Sequence, residues 1–285
     1  MDAQCYLCHL RRHLDNARAL GDEATATAFA KDLMQLYLDA PADASSPWFG
    51  PGLTALYAKY YGLTGDRYLE EKQESNRFVL SRMDAIRDLV QAQPDPVYAG
   101  LQYAVLGNYI DFSALQGEVS FEKLDEMLRS GTGLALDREN YRRFCEDLEK
   151  GKTLLYITDN AGEIGFDRIC AEQIQKKYPH LAITFCVRGG PAANDALRED
   201  AAAVGVPFPV IDNGTCVAGT PLDMLGEEAR TALQTSDVIL SKGQANVETM
   251  LGCGHNIYYA FLIKCQRFIT LFDKPKLTPM FHRER

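Results

Sequence analysis

Four stretches of this 285-residue chain place acids, amides and cations directly after short apolar runs. Leu154–Ile157 leads into Thr158-Asp159-Asn160-Ala161-Gly162-Glu163. The run ending at Val187 is followed by Arg188-Gly189-Gly190, then Asn194 and Asp195. Val210 and Ile211 lead into Asp212-Asn213-Gly214, and Val238–Leu240 into Ser241-Lys242-Gly243, with Asn246 and Glu248 close behind. An apolar run of this length before a turn and a helical pattern reads as a buried strand. Ligands of open α/β sheets bind in the crevice at the carboxyl ends of the strands. Taken singly, each residue has a plainer role, since Asp and Asn often cap helices and lysines are mostly solvated. Their recurrence at successive strand ends converges them on one crevice.

A carboxylate beside a side-chain carbonyl suits a hard cation such as Mg²⁺ or Mn²⁺. Asp159, Asn160 and Asp195 could hold one octahedral ion with positions left for water and phosphate oxygens. Lys242 adds a compact positive charge for phosphate. Gly189, Gly190 and Gly243 allow backbone amides to approach an anion. Glu163 or Glu248 could handle protons. The chemistry that fits is phosphoryl transfer or hydrolysis, with the attacking group, a water on the cation or Asp159 itself, left open.

The elements that must position these residues alternate along residues 151–285. Strand-length runs at 153–157, 182–187, 207–211, 237–241 and 257–263 are separated by helical patterns to about 177, at 195–204, 221–233 and around 245–251. This predicts an α/β domain with a mostly parallel sheet covered by helices on both faces. Residues 1–150 read as a helical domain. Helices are expected from Cys5, over Ala24–Leu38, over Leu53–Tyr61 and from Gly65 to Gln93 with interruptions. Val97–Leu106 is apolar nearly all round and predicts a buried helix.

The formal charge of −9 and pI near 5.1 argue against nucleic acid as a main partner. They leave room for a small anionic substrate, because a metal supplies local positive charge. No run of 18 apolar residues predicts a membrane span, and the first residues lack a signal-peptide apolar region. A soluble cytoplasmic protein is the expectation, with its eight cysteines reduced. No sequence feature specifies an oligomeric state.

The strand-end motifs resemble the damage-control phosphatase family, the former domain of unknown function 89, related to proteins labelled acidic-residue methyltransferases. The residues that carry the resemblance are Asp159-Asn-Ala-Gly-Glu163, Arg188-Gly-Gly-Pro191 with Asn194-Asp195, and Ser241-Lys-Gly-Gln-Ala-Asn-Val-Glu248. Cys5-x-x-Cys8-x-x-Arg11, Gly107-Asn-Tyr-Ile-Asp-Phe112 and Ile263-Lys-Cys265 are similar to the small prokaryotic-type branch. The resemblance implies a helical domain packed on a Rossmann-like three-layer α/β domain. It implies hydrolysis of phosphate monoesters, often sugar phosphates or damaged phosphometabolites, with Mg²⁺, Mn²⁺, Co²⁺ or Ni²⁺. It makes Asp159, Asn160 and Asp195 metal ligands and Lys242 the phosphate-binding lysine. Glu163, Arg188, Asn194, Gly243, Asn246 and Glu248 would line the pocket, with Asn108 and Asp111 reaching it from the helical domain. A more aliphatic entry than Gly252–Phe261 is expected for the last strand, and the chain ends in a short basic segment, Phe281–Arg285.

Cys5 and Cys8 have zinc- or redox-like spacing, with His9, His13 and Cys265 as conceivable further ligands. The plainer alternative is that both thiols pack a helix start. Two other functions compete with the phosphatase. A carboxylate methyltransferase would need a Gly-x-Gly turn after the first strand, where Asp159–Glu163 stands instead. A non-catalytic metabolite-binding protein would not need the full set of polar strand ends.

Overall fold

The helix α1 (Ala3–Leu20) begins where the Asp2 carboxylate accepts the Cys5 amide, and α2 (Glu23–Leu38) where Asp22 accepts that of Thr25. Such caps satisfy donors that the first turn leaves unpaired. A short 3₁₀ turn, Pro47–Phe49, precedes α3 (Gly50–Tyr61), which stops at Gly62 in a left-handed conformation. In this computed structural model residues 1–110, 121–129 and 133–284 are described. The expected helix from Gly65 to Gln93 is two helices, α4 (Leu69–Leu80) and α5 (Met83–Gln91). The buried helix α6 spans Pro96–Gly107, with a proline in its first turn, where a missing amide costs nothing. Then come α7 (Phe121–Arg129) and α8 (Arg138–Lys150). Among the described residues no helix is long and apolar enough to cross a membrane.

Strand and helix then alternate: β1 (Thr153–Ile157), α9 (Glu163–Lys177), β2 (Ala182–Val187), α10 (Arg198–Ala203), β3 (Val210–Asp212), α11 (Glu227–Thr235), β4 (Val238–Lys242), α12 (Gln244–Met250), β5 (Ile257–Leu262), α13 (Gln266–Phe272) and β6 (Pro279–Arg283). The sheet order is β3-β2-β1-β4-β5-β6. All pairs are parallel except β5 with β6, where Ala260 faces Phe281. Strand order reverses between β1 and β4, the switch point where doubly wound sheets open a crevice.

The two faces of each strand sort into two cores. Leu154, Tyr156, Phe185, Leu240 and Tyr258 pack with α6, α8 and α9. Leu155, Ile157, Ile239, Tyr259 and Phe261 pack with α11, α12 and α13. This is the period-2 alternation of a strand buried on both sides, hence three layers. A third core, including Ala17, Phe29, Leu33, Phe49 and Tyr57, belongs to α1–α3 and the 3₁₀ turn.

Three expectations are adjusted. The third strand is only Val210–Asp212, and the helix expected from 195 starts at Arg198, so Asp195 lies in a loop. The segment 221–226 is not helical. The antiparallel β6 was not foreseen, because its mixed Pro279-Met-Phe-His-Arg283 content lacks an apolar run. The aromatic entry to β5 is accommodated by hydroxyl partners: Tyr258 donates to Asp147 at 2.6 Å and Tyr259 to Glu284 at 2.7 Å. A buried tyrosine needs such a partner.

Candidate active site

Backbone hydrogen bonds between the loops after β1 and β2 set the acids side by side. Ala161 N donates to Asn194 O at 2.9 Å and Ala196 N to Asp159 O at 2.7 Å. Asn160 and Asp195 thereby form an isolated antiparallel bridge. Asp159, Asn160, Asn194 and Asp195 form the floor of a cavity of about 480 Å³. The helical region also grips this floor. Asn76 of α4 accepts the Gly162 amide at 2.7 Å and donates to Asp200 at 2.8 Å.

Beneath the floor lies a fully buried polar layer. Asn108, just past α6, donates through Nδ2 to Asp159 Oδ2 at 2.9 Å and to both Glu163 oxygens at 3.0 and 3.2 Å. Its Oδ1 accepts the Leu262 amide of β5 at 3.1 Å. Asn160 Nδ2 donates to Asp159 Oδ2 at 2.9 Å and Glu163 Oε2 at 2.6 Å. Lys242 Nζ donates to Glu163 Oε1 at 2.6 Å, Asp167 Oδ1 at 2.9 Å and the Ala104 carbonyl at 2.8 Å. Burial alone would push the lysine pKa down, but Asp167 and Glu163 outweigh it and hold it above its ordinary value. Burial, relieved in part by Lys242, pushes the Asp167 carboxyl up to about 7. Arg188 donates from Nε to Asp195 at 2.6 Å and from Nη2 to the Thr158 carbonyl at 3.1 Å. Asn246 ties the β4 end to the β1 end through the Lys242 and Thr158 carbonyls.

The cavity floor fits a divalent cation on donor type. In the layer beneath it Arg188 lies against Asp159 and Asp195, and Lys242 against Glu163 and Asp167. Two carboxylates with an amide oxygen are hard donors of the kind Mg²⁺ and Mn²⁺ take.

The family model for the damage-control phosphatase ARMT1-like domain matches residues 1–277. The chain belongs to this family. A protein of Methanocaldococcus jannaschii described as uncharacterized is 32% identical over 277 residues, which cover 92% of this chain and 88% of that protein. A damage-control phosphatase of Archaeoglobus fulgidus is 29% identical over 268 residues, covering 92% and 91%. The crystal structure of a Pyrococcus horikoshii protein described as a duf89 family member matches with a TM-score of 0.85 at 25% identity, covering 100% of this chain and 99% of that one.

In this damage-control phosphatase family member the residues singled out from sequence separate into two levels. Asp159, Asn160, Asn194, Asp195 and Glu248 line the cavity. Asn108, Glu163, Arg188, Lys242 and Asn246 lie below it, each at most 1% exposed. Asp111 lies outside the described residues. Lys242 therefore differs from the expected phosphate contact, because all three ammonium protons already have acceptors. The glycine amides expected to meet an anion are also engaged: Gly243 N donates to Ala260 O, and Gly189 and Gly190 N to Thr215 O. Gly243 serves the site by lacking a side chain. A Cβ there would stand 2.0 Å from the Asp159 carboxylate.

The walls were missed from sequence. Arg12 and Arg67 come from the α1–α4 region, and Lys264, Arg267 and Lys276 from the segment after β5. Lys264 is 7% exposed. It comes just after the apolar run 257–263 as Lys242 comes just after Val238–Leu240, so the same signal applied to the last run would have found it. Cys5, Cys8 and Cys265 also line the cavity, yet among the described residues no three His, Cys, Asp or Glu side chains converge to hold a metal.

Proposed function

We propose that this protein is a divalent-metal-dependent phosphatase that hydrolyses phosphate monoesters of small metabolites, with a Mg²⁺, Mn²⁺, Co²⁺ or Ni²⁺ ion as cofactor. The observation that carries the reading is the polarity of one cavity: an acidic, amide-bearing floor of Asp159, Asn160 and Asp195 under walls carrying Lys264, Arg267 and Lys276. The names of the relatives point the same way.

Asp159, Asn160 and Asp195 would hold the ion, which when bound neutralises phosphoryl oxygens and positions the attacking group. Asn108 and Asn160 fix the Asp159 carboxylate by donating to the same oxygen. Glu163 cannot exchange protons with a ligand from its buried place, so it acts as a positioning residue, held by Lys242, Asn108 and Asn160. Lys264 takes the phosphate-binding role expected of Lys242, as the buried lysine that faces the cavity. Glu248 lines the cavity and accepts from Gln244 at 3.0 Å. Burial pushes its carboxyl pKa up, favouring the protonated form that can donate to a leaving-group oxygen. Direct attack by Asp159 predicts a transient phosphoprotein that hydroxylamine and alkali cleave; attack by water predicts none.

The test is phosphate release from sugar phosphates and a chromogenic phosphomonoester by chelated protein, with each metal added back singly. Activity should return with at least one ion and be absent in Asp159→Ala, whose unfolding midpoint should show a folded protein. Full activity after chelation, or in the folded variant, would sink the proposal.

A further inference from the structure

The cavity is more basic than one phosphate group needs. The whole chain carries 39 acidic residues against 30 basic. Among the described residues lining the cavity the balance inverts, with five Lys or Arg against three Asp or Glu. Two of those acids, Asp159 and Asp195, belong to the proposed cation site. A volume of about 480 Å³ also exceeds what a phosphate occupies and lies in the range of whole small-molecule sites.

The surplus charge is organised on the wall built from α1, α3 and the turn before α4. Arg67 lays its guanidinium on the Tyr57 ring, 3.9 Å from the centroid, which leaves the edge with its N–H groups to point away from the ring. The Tyr57 hydroxyl is 3.0 Å from His13 Nδ1. His13 is 6% exposed, and among the described residues its Nε2 has no hydrogen-bond partner. Arg12, Arg67 and His13 line the same cavity, and burial, with the Arg12 charge, pushes the His13 pKa down to about 3 and keeps the ring neutral. When Tyr57 donates to Nδ1, Nε2 carries the proton and is a donor in want of an acceptor. A buried polar atom left without a partner is costly, so it marks a place where a ligand is owed.

We propose that Arg12, Arg67 and His13 form a second anion subsite, so that the substrate is a phosphomonoester carrying a carboxylate or another phosphate at its far end. The proposal rests on the phosphatase reading for which end reacts. Two guanidiniums with a neutral N–H donor suit planar or tetrahedral oxyanions, which arginine binds through paired N–H groups.

Two matched pairs of compounds test this. Glycerol 3-phosphate and 3-phosphoglycerate differ at the far end by a carboxylate. Fructose 1-phosphate and fructose 1,6-bisphosphate differ by a phosphate and a longer span. In the wild type the doubly anionic member of at least one pair should have a KM about 10-fold lower, the size expected of one charge-assisted contact. That advantage should shrink as salt rises. Arg67→Gln should erase it, and Arg67→Lys should restore part of it. A preference in one pair identifies the anion and span. Equal KM values in both pairs, or a preference that survives Arg67→Gln, overturn the subsite. If no ester is hydrolysed, the phosphatase reading fails separately. Calorimetric binding of the same pairs to wild type and Arg67→Gln then decides the subsite by the same criterion.

Discussion

Gly243→Ala should silence the enzyme through one methyl group. Gly243 has φ of +80° and ψ of 159°, a region that side-chain-bearing residues almost never enter. The added Cβ would stand 2.0 Å from Asp159 Cγ and Oδ2, where real contacts stay beyond 3.0 Å. The carboxylate must then move by about 1 Å, and it sits in hydrogen bonds from Asn108 and Asn160 that would stretch or break. Backbone strain costs about 1–3 kcal/mol, and crowding a packed site about 1–3 kcal/mol more. Displacement of a reacting group by about 1 Å costs roughly 100-fold in rate. Gly252→Ala is the control: φ there is +91°, and among the described residues no atom lies within 4 Å of where the added Cβ would stand. It carries the backbone strain without the collision. Urea unfolding and phosphate release from a chromogenic ester should show both variants folded and less stable, with kcat/KM down roughly 100-fold only in Gly243→Ala. A folded Gly243→Ala protein with wild-type kcat/KM would refute the claim that Asp159 must occupy its observed position.

Lys242→Met leaves Glu163 and Asp167 buried without their cation, so urea unfolding should show a loss of about 3–5 kcal/mol. A stable variant with only a raised KM would mean that the lysine meets substrate instead. His9 and His13, held by burial and Arg12 at pKa values of about 4 and about 3, bind fewer protons folded than unfolded. Their contribution to stability is present above pH 6.5 and is lost as pH falls from there toward 4 and 3. His13→Gln removes one ring that can protonate, so its urea midpoint should fall less than the wild-type midpoint between pH 7 and pH 4. An identical fall would place the acid sensitivity elsewhere.

The α/β alternation and the strand-end acids were legible because both are local. Leu154–Ile157 can be a two-face-buried strand from its own side chains, and a loop leaving β1 must start at the sheet edge. That Asp159 and Asp195 share a crevice follows from β1 and β2 being neighbours, an ordinary consequence of a parallel crossover. What escaped were properties that depend on depth and on distant partners. Lys242 and Lys264 both come just after apolar runs, yet the side chain of one turns under α6 to Ala104 and Asp167, while the other lines the cavity. The β6 strand escaped because Phe281 is its single fully buried side chain, too little for a pattern.

The sequence by itself determined the alternation of strands and helices through β5 and the oxygen-bearing side chains that line the cavity floor, since each is written in consecutive residues. Only the tertiary structure decided which polar groups line the cavity and which are engaged beneath it. It engages the amides of Gly189, Gly190 and Gly243, saturates Lys242, and carries Arg12 and Arg67 across more than ninety residues of chain to the cavity that Asp159 also lines. A hydrogen bond saturates a donor only when an acceptor lies within about 3 Å of it. Proximity of that kind between remote segments comes from packing the helical layers onto the sheet, and no local pattern encodes it.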